Sequence, residues 1–259
     1  MGTLMPVLFV GHGNPMNALA DNAYTKGWAA IGKSMPRPAA ILAVSAHYYI
    51  PFRMVTTSPT PPTIHDFSGF PDELYQIRYP APGSPDLAGR VKELLAPEQL
   101  RSDTDWGLDH GTWSVLVHMF PQADIPVVQL SMDENQPSSY HYEIGRRLMP
   151  LREEGVLVMG SGNLVHNLAR YRWREREAAP FDWTVHFESR VRQCLLDGDH
   201  APLVDYAQLG DDARLAVPTP DHYLPFLYAL GMRRETEPAS FPLEGVDGGS
   251  VSMLAVRFG

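Results

Sequence analysis

A chain of 259 residues that is 44% hydrophobic and 20% charged can bury one large core, and its composition is too ordinary for a disordered tail or a fibrous repeat. The formal charge of -9 argues against a nucleic-acid partner, since phosphate binding draws on clustered Lys and Arg. The densest basic stretch, Arg170 to Arg176, is broken by Glu175 and reads as a solvated helix or loop face. Cys194 is the only cysteine, no apolar run approaches the roughly 20 residues that cross a bilayer, and the N-terminus lacks the pattern of a signal peptide. The expected location is the cytoplasm, with no disulfide and no membrane partner.

In chain order, Pro6 to Val10 and Ile41 to Val44 read as buried strands, followed by helices over Pro85 to Leu95 and Trp113 to Met119. Ile125 to Leu130 is a third strand, Ser138 to Leu151 a helix, and Val156 to Met159 a fourth strand. Helices over Phe181 to Leu196 and His222 to Leu230 precede a closing strand, Val251 to Phe258. The strand runs are continuously apolar rather than alternating, which predicts an α/β fold with a mainly parallel central sheet covered by helices on both faces. No internal repeat or linker divides the chain, so residues 1–259 are expected to form a single domain. The 24 prolines predict stiff loops such as Pro59 to Pro82, and loops of this kind carry sites.

Three of the ten histidines share a position just beyond a predicted strand: His12 in VGHGNP, His47 in VSAHYY and His166 in GSGNLVH. Loops past the carboxyl ends of parallel strands converge on one crevice, and Gly11, Gly13, Gly160 and Gly162 would let the backbone approach a ligand there. Dispersed imidazoles converging on a crevice predict a divalent metal site with room for substrate. The glycine-rich turns do not have the spacing of a P-loop or a dinucleotide fingerprint, and GSGN around Ser161 is not a nucleophile elbow. Asp109 and His110 in WGLDHG read equally well as an acid/base pair or a helix cap. Asp221 reads as an N-cap, with His222 an incidental neighbour. His65, His118, His141, His186 and His200 read as structural.

The segments LFVGHGNPMNAL, VSAHYY, PPTIHDFSGFPDELYQIRYPAPGSP, WGLDHGTWSVL, VQLSMD, GSGNLVHNL and PTPDHYLPFLYALG, in this order, closely resemble the 4,5-DOPA extradiol dioxygenase family of class III extradiol ring-cleaving dioxygenases. The resemblance implies one metal on His12, His47 and His222, which overrides the cap reading of the last. It implies His166 as an acid/base or a further ligand, and His110 as another active-site histidine. It further implies a catechol such as DOPA opened by molecular oxygen. Three neutral imidazoles replace the two-histidine, one-glutamate set of more distant relatives, so Fe(II) is expected in the active dioxygenase and Zn(II) is a plausible occupant. The alternatives are a zinc-dependent hydrolase on the same residues and a non-catalytic, Memo-like binding protein. The oligomeric state is not legible.

Overall fold

The computed structural model describes residues 4–259. Six strands form the central sheet: β1 (Val7–Gly11), β2 (Ala40–Ser45), β3 (Val127–Gln129), β4 (Val156–Gly162), β5 (Ala239–Leu243) and β6 (Ala255–Phe258). Their order is β3-β2-β4-β1-β6-β5. The first four are mutually parallel, while β6 runs antiparallel to β1 and β5 antiparallel to β6. The sheet is thus mainly parallel, as the unbroken apolar runs predict. Every residue of β1, β2 and β4 is buried, the state of a strand covered on both faces.

Six principal helices provide that cover: α1 (Ala23–Lys33), α2 (Pro85–Leu94), α3 (His110–Met119), α4 (Ser138–Leu148), α5 (Asp182–Asp197) and α6 (Leu224–Gly231). Strand residues alternate between two cores because successive side chains point to opposite faces. Val7, Phe9, Leu42, Val44 and Val158 pack with Leu87, Ile144, Phe187 and Phe226 of α2, α4, α5 and α6. Leu8, Val10, Ile41, Ala43 and Leu157 pack with Trp28 and Ile31 of α1 and Trp113 and Leu116 of α3. The result is a helix–sheet–helix sandwich.

The structure corrects several sequence expectations. The run Val251 to Phe258 is not one strand: Val251–Ser252 pairs with Val246–Asp247 in a small hairpin, and only Ala255–Phe258 joins the main sheet. Strand β5 alternates between exposed and partly buried residues and ends on the buried Leu243, a half-buried edge pattern that a search for continuous apolar runs passes over. Helix α1 also went unanticipated, although Asn22 caps it and forms a reciprocal capping box with Thr25. Helix α3 begins at His110 because the Asp109 carboxylate accepts from the Thr112 N–H at 3.1 Å. Helix α6 begins only at Leu224, leaving His222 in the turn before it.

Candidate metal centre

The carboxyl ends of β1, β2 and β4 open on a cavity of ≈ 270 Å³ lined by all five candidate histidines, His12, His47, His110, His166 and His222. His12 directly follows β1, and its N–H donates to the Gly162 carbonyl at 3.0 Å. His47 lies two residues past β2, and His166 lies four past β4. His222 arrives from the turn before α6 because that turn rides directly on β4. Asn163 N–H donates to the His222 carbonyl at 2.9 Å, and a Cβ on Gly162 would stand 2.1 Å from that same oxygen. The strand-end glycines were expected to admit a ligand; Gly162 instead admits the backbone that delivers His222.

Ring centroids of His12, His47 and His222 form a nearly equilateral triangle with sides of 5.0, 5.3 and 5.2 Å. One ligand atom from each lies within 4.8 Å of the others. The protonation of each ring follows from its outward neighbour. Ser161 Oγ donates its single proton to the Gly111 carbonyl at 2.5 Å, so at 3.1 Å from His12 Nδ1 it must accept. His222 Nδ1 donates to the Asp221 carboxylate, and His47 Nδ1 faces the Asp66 carboxylate at 3.4 Å. A carboxylate only accepts. The Nδ1 of His12 and of His222 therefore carries the proton, and the carboxylate facing His47 Nδ1 favours the same tautomer there, which leaves each Nε2 to present a lone pair.

The consequence is sharpest between His12 Nε2 and His47 Nε2, which stand 3.1 Å apart. Two bare lone pairs at that distance repel unless a cation lies between them. Two imidazole nitrogens on one metal at about 2.0–2.1 Å stand about 2.9–3.3 Å apart for bond angles between square and tetrahedral. The donor set fits a metal, and outward acceptors on ligating histidines are the usual means of fixing their tautomer. Burial, then the neighbouring histidines, lowers the pKa of both His12 and His47 well below the ordinary value, so both are neutral as a ligand must be.

Asp66 reaches further. Its carboxylate accepts from the His110 backbone N–H at 2.8 Å and from His110 Nδ1 at 2.9 Å, so it serves His47 and His110 together. Burial raises the Asp66 pKa, but hydrogen bonding and the charge of His110 outweigh it and hold the carboxyl below its usual range. Beneath them Asp109 is fully buried, accepting from Ser45 Oγ and Gln129 Nε2 at 2.6 Å each. It is the cap and anchor of α3, not an acid/base partner of His110. Asp221, read from the sequence as a helix cap, instead orients His222; Tyr223 holds the cap position and makes no side-chain cap bond.

His166 stacks on His222 with centroids 3.5 Å apart and planes inclined by 8°. His166, Asp221 and His222 also bring one ligand atom each within 4.8 Å of one another, but parallel stacked rings donate side by side rather than toward one point. Burial and the adjacent His222 lower the His166 pKa to about 2. Phe67 and Phe70, from the Pro59 to Pro82 loop, line the cavity with Leu168, Tyr171 and Trp173. None of His65, His118, His141, His186 and His200 lines it. His118, for example, bonds the Asn17 carbonyl at 2.9 Å and His141 the Tyr228 hydroxyl at 3.0 Å.

The model of the catalytic LigB subunit of aromatic ring-opening dioxygenase matches residues 6–251. This chain belongs to that family. It is 49% identical over 261 residues to the 4,5-DOPA dioxygenase extradiol of Escherichia coli (strain K12), covering 99% of this chain and 96% of the relative. The enzyme of the same name from Beta vulgaris is 37% identical over 256 residues, 96% of this chain and 95% of its own. A crystal structure of an uncharacterized Escherichia coli K12 protein superposes with a TM-score of 0.87 at 45% identity, covering 98% of this chain and 100% of that one. The chain is accordingly an extradiol ring-cleaving dioxygenase, whose family implies an aromatic substrate and molecular oxygen. Among the described residues no helix is long and apolar enough to cross a membrane.

Proposed function

We propose that this dioxygenase opens the ring of a catechol of the DOPA type and holds one divalent metal, Fe(II) in the active enzyme, on His12, His47 and His222. The observation that carries the assignment is the meeting of bare lone pairs at 3.1 Å between His12 Nε2 and His47 Nε2. Bound Fe(II) supplies an electron route between an aromatic ring and oxygen, whereas Zn(II) has no redox chemistry. Three neutral imidazoles cancel none of the cation's charge, which favours a substrate able to present two ionisable oxygens. His166 is a proton-transfer residue rather than a fourth ligand: its ring stacks parallel to that of His222 and lines the same cavity. His110, held through Nδ1 by Asp66, turns its Nε2 edge to the cavity and is the second proton-handling group. Phe67 and Phe70 provide an apolar wall against which a ring can lie.

Metal-stripped protein reloaded separately with Fe(II) and Zn(II) tests this reading. The Fe(II) form should consume oxygen with L-DOPA and yield a product heavier by two oxygen atoms, and the Zn(II) form should bind L-DOPA without oxygen uptake. Failure of the Fe(II) form to consume oxygen with any catechol, together with anaerobic ester or amide cleavage by the Zn(II) form, would replace the reading with a hydrolase.

A further inference from the structure

Ser161 lies in GSGN, which is not a nucleophile elbow, yet its fully buried hydroxyl touches a metal-facing ring. It stands in register with Ser45 on the neighbouring strand β2, and both hydroxyls meet the start of α3. Ser45 Oγ donates to the Asp109 carboxylate at 2.6 Å, and Ser161 Oγ donates to the Gly111 carbonyl at 2.5 Å. A Cβ at Gly111 would stand 2.5 Å from Ser45 Oγ, so the missing side chain is what lets the first turn of α3 settle on the two serines.

The three metal-facing rings differ in what stands behind them. Asp221 and Asp66 face His222 and His47, and a carboxylate can only accept a hydrogen bond. Behind His12 there is a hydroxyl, 3.1 Å from Nδ1, and a hydroxyl can donate as well as accept. Were Ser161 to donate to His12, the imidazole proton would sit on Nε2, the nitrogen that faces His47 Nε2 at 3.1 Å. The Gly111 carbonyl removes that alternative by taking the one proton Ser161 has. A brace between β4 and α3 needs only the bond to Gly111; it does not require the same oxygen to rest against His12 Nδ1. We propose that Ser161 is the positioning residue of His12: held by the Gly111 carbonyl, its hydroxyl is a one-way acceptor that keeps the His12 proton on Nδ1 and leaves Nε2 free for the metal. It does so without placing a third carboxylate beside the metal-facing rings. This inference rests on the reading of His12 as a metal ligand and adds the group that fixes its tautomer.

Nitrogen-15 NMR of histidine-labelled apo-protein, with His12 assigned by comparison with His12→Gln, reads the tautomer before any change is made at Ser161. His12 should show a protonated Nδ1 and a bare Nε2; a protonated Nε2 overturns the inference. In Ser161→Ala the Nε2-protonated form should appear, and Zn(II) affinity, measured by chelator competition, should fall about 10- to 100-fold, the usual cost of losing such a partner. Ser161→Thr keeps the hydroxyl and should restore both tautomer and affinity. Gln129→Met controls for bracing: it removes the bonds between Gln129 and Asp109 and so loosens α3 without touching a metal-facing ring. It should lower the melting temperature and leave Zn(II) affinity unchanged. An equal loss of affinity in Gln129→Met and Ser161→Ala would reduce Ser161 to a brace and overturn the inference. Should Ser161→Ala fail to fold, the spectrum of the unmodified apo-protein decides. If the unmodified protein binds no Zn(II), the metal reading itself falls; if it binds and Ser161→Ala binds equally well, only the role of Ser161 falls.

Discussion

The two ends of the central sheet both bury polar nitrogen, and they treat it oppositely. At the amino ends of β1 and β4, the fully buried Arg152 donates from Nε to the Met5 carbonyl at 2.8 Å and from Nη1 to the Met232 carbonyl at 2.8 Å. It also pairs with Glu237 at 2.7 and 2.6 Å and reaches the Phe258 carbonyl at 3.2 Å. All three of its nitrogens are satisfied, and the chain segments flanking β1, β4 and β6 are tied together. At the carboxyl ends, the outward nitrogens of three histidines face acceptors and the inward ones face one another. A buried polar group with every bond made is a structural element; one whose remaining valences converge is a site.

The contrast can be broken from either side. Replacing His12, His47 or His222 singly by Ala should cause the largest change: metal content, read by elemental analysis, and oxygen uptake should both fall to background while the melting temperature of the apo-protein changes little. Full occupancy in all three variants would dismiss the ligand set. His166→Ala should retain metal and bind L-DOPA but turn over on the order of 10²- to 10⁴-fold more slowly; loss of metal instead would make it a ligand. Arg152→Ala should cost about 3–5 kcal/mol of stability by stranding Glu237 and three carbonyls, with the surviving folded protein binding metal normally. Weakened metal affinity in that variant would mean the two ends are coupled. Asp66→Asn, which blurs the tautomers of His47 and His110, should lower metal affinity by about 10- to 100-fold, and an unchanged titration would reduce Asp66 to a loop anchor.

The smallest effect is graded with pH. Burial, ahead of any other cause, lowers the pKa values of His12, His47, His166 and His141, the last from 6.5 to about 4. Below pH 6.5 the unfolded chain binds protons that the folded apo-protein refuses, so the stability present above 6.5 is lost as pH falls. Each such histidine removes about 1.4 kcal/mol per pH unit through its window, which for His141 closes near pH 4. Urea midpoints of apo-protein should decline from pH 7 to pH 5, with a shallower decline in His141→Gln; a flat profile would show that these rings are not held neutral.

What the sequence made legible follows from what is local. Continuous apolar runs marked β1, β2 and β4, and strand-end position marked His12, His47 and His166. His222 was not legible from position, because its arrival depends on how closely the turn before α6 lies over Gly162, a contact between residues 60 apart in the chain. The family resemblance supplied it, and the structure brings it into the cluster. Asp66 was missed for the same reason: it becomes meaningful only through partners far away in sequence. A signal for Asp66 did exist in the His65-Asp66 pair of a loop rich in proline and aromatic residues.

The sharing of Asp66 bears on how this enzyme can be redesigned. One carboxylate, on the loop that also supplies Phe67 and Phe70 to the cavity, orients both a metal-facing and a proton-handling histidine. Grafting that loop from another ring-opening enzyme to accommodate a bulkier aromatic would therefore disturb cofactor retention and proton traffic along with shape. Leu168 and Trp173, which line the same cavity and are 46% and 60% exposed, have no such double duty and are where substrate scope can be varied independently.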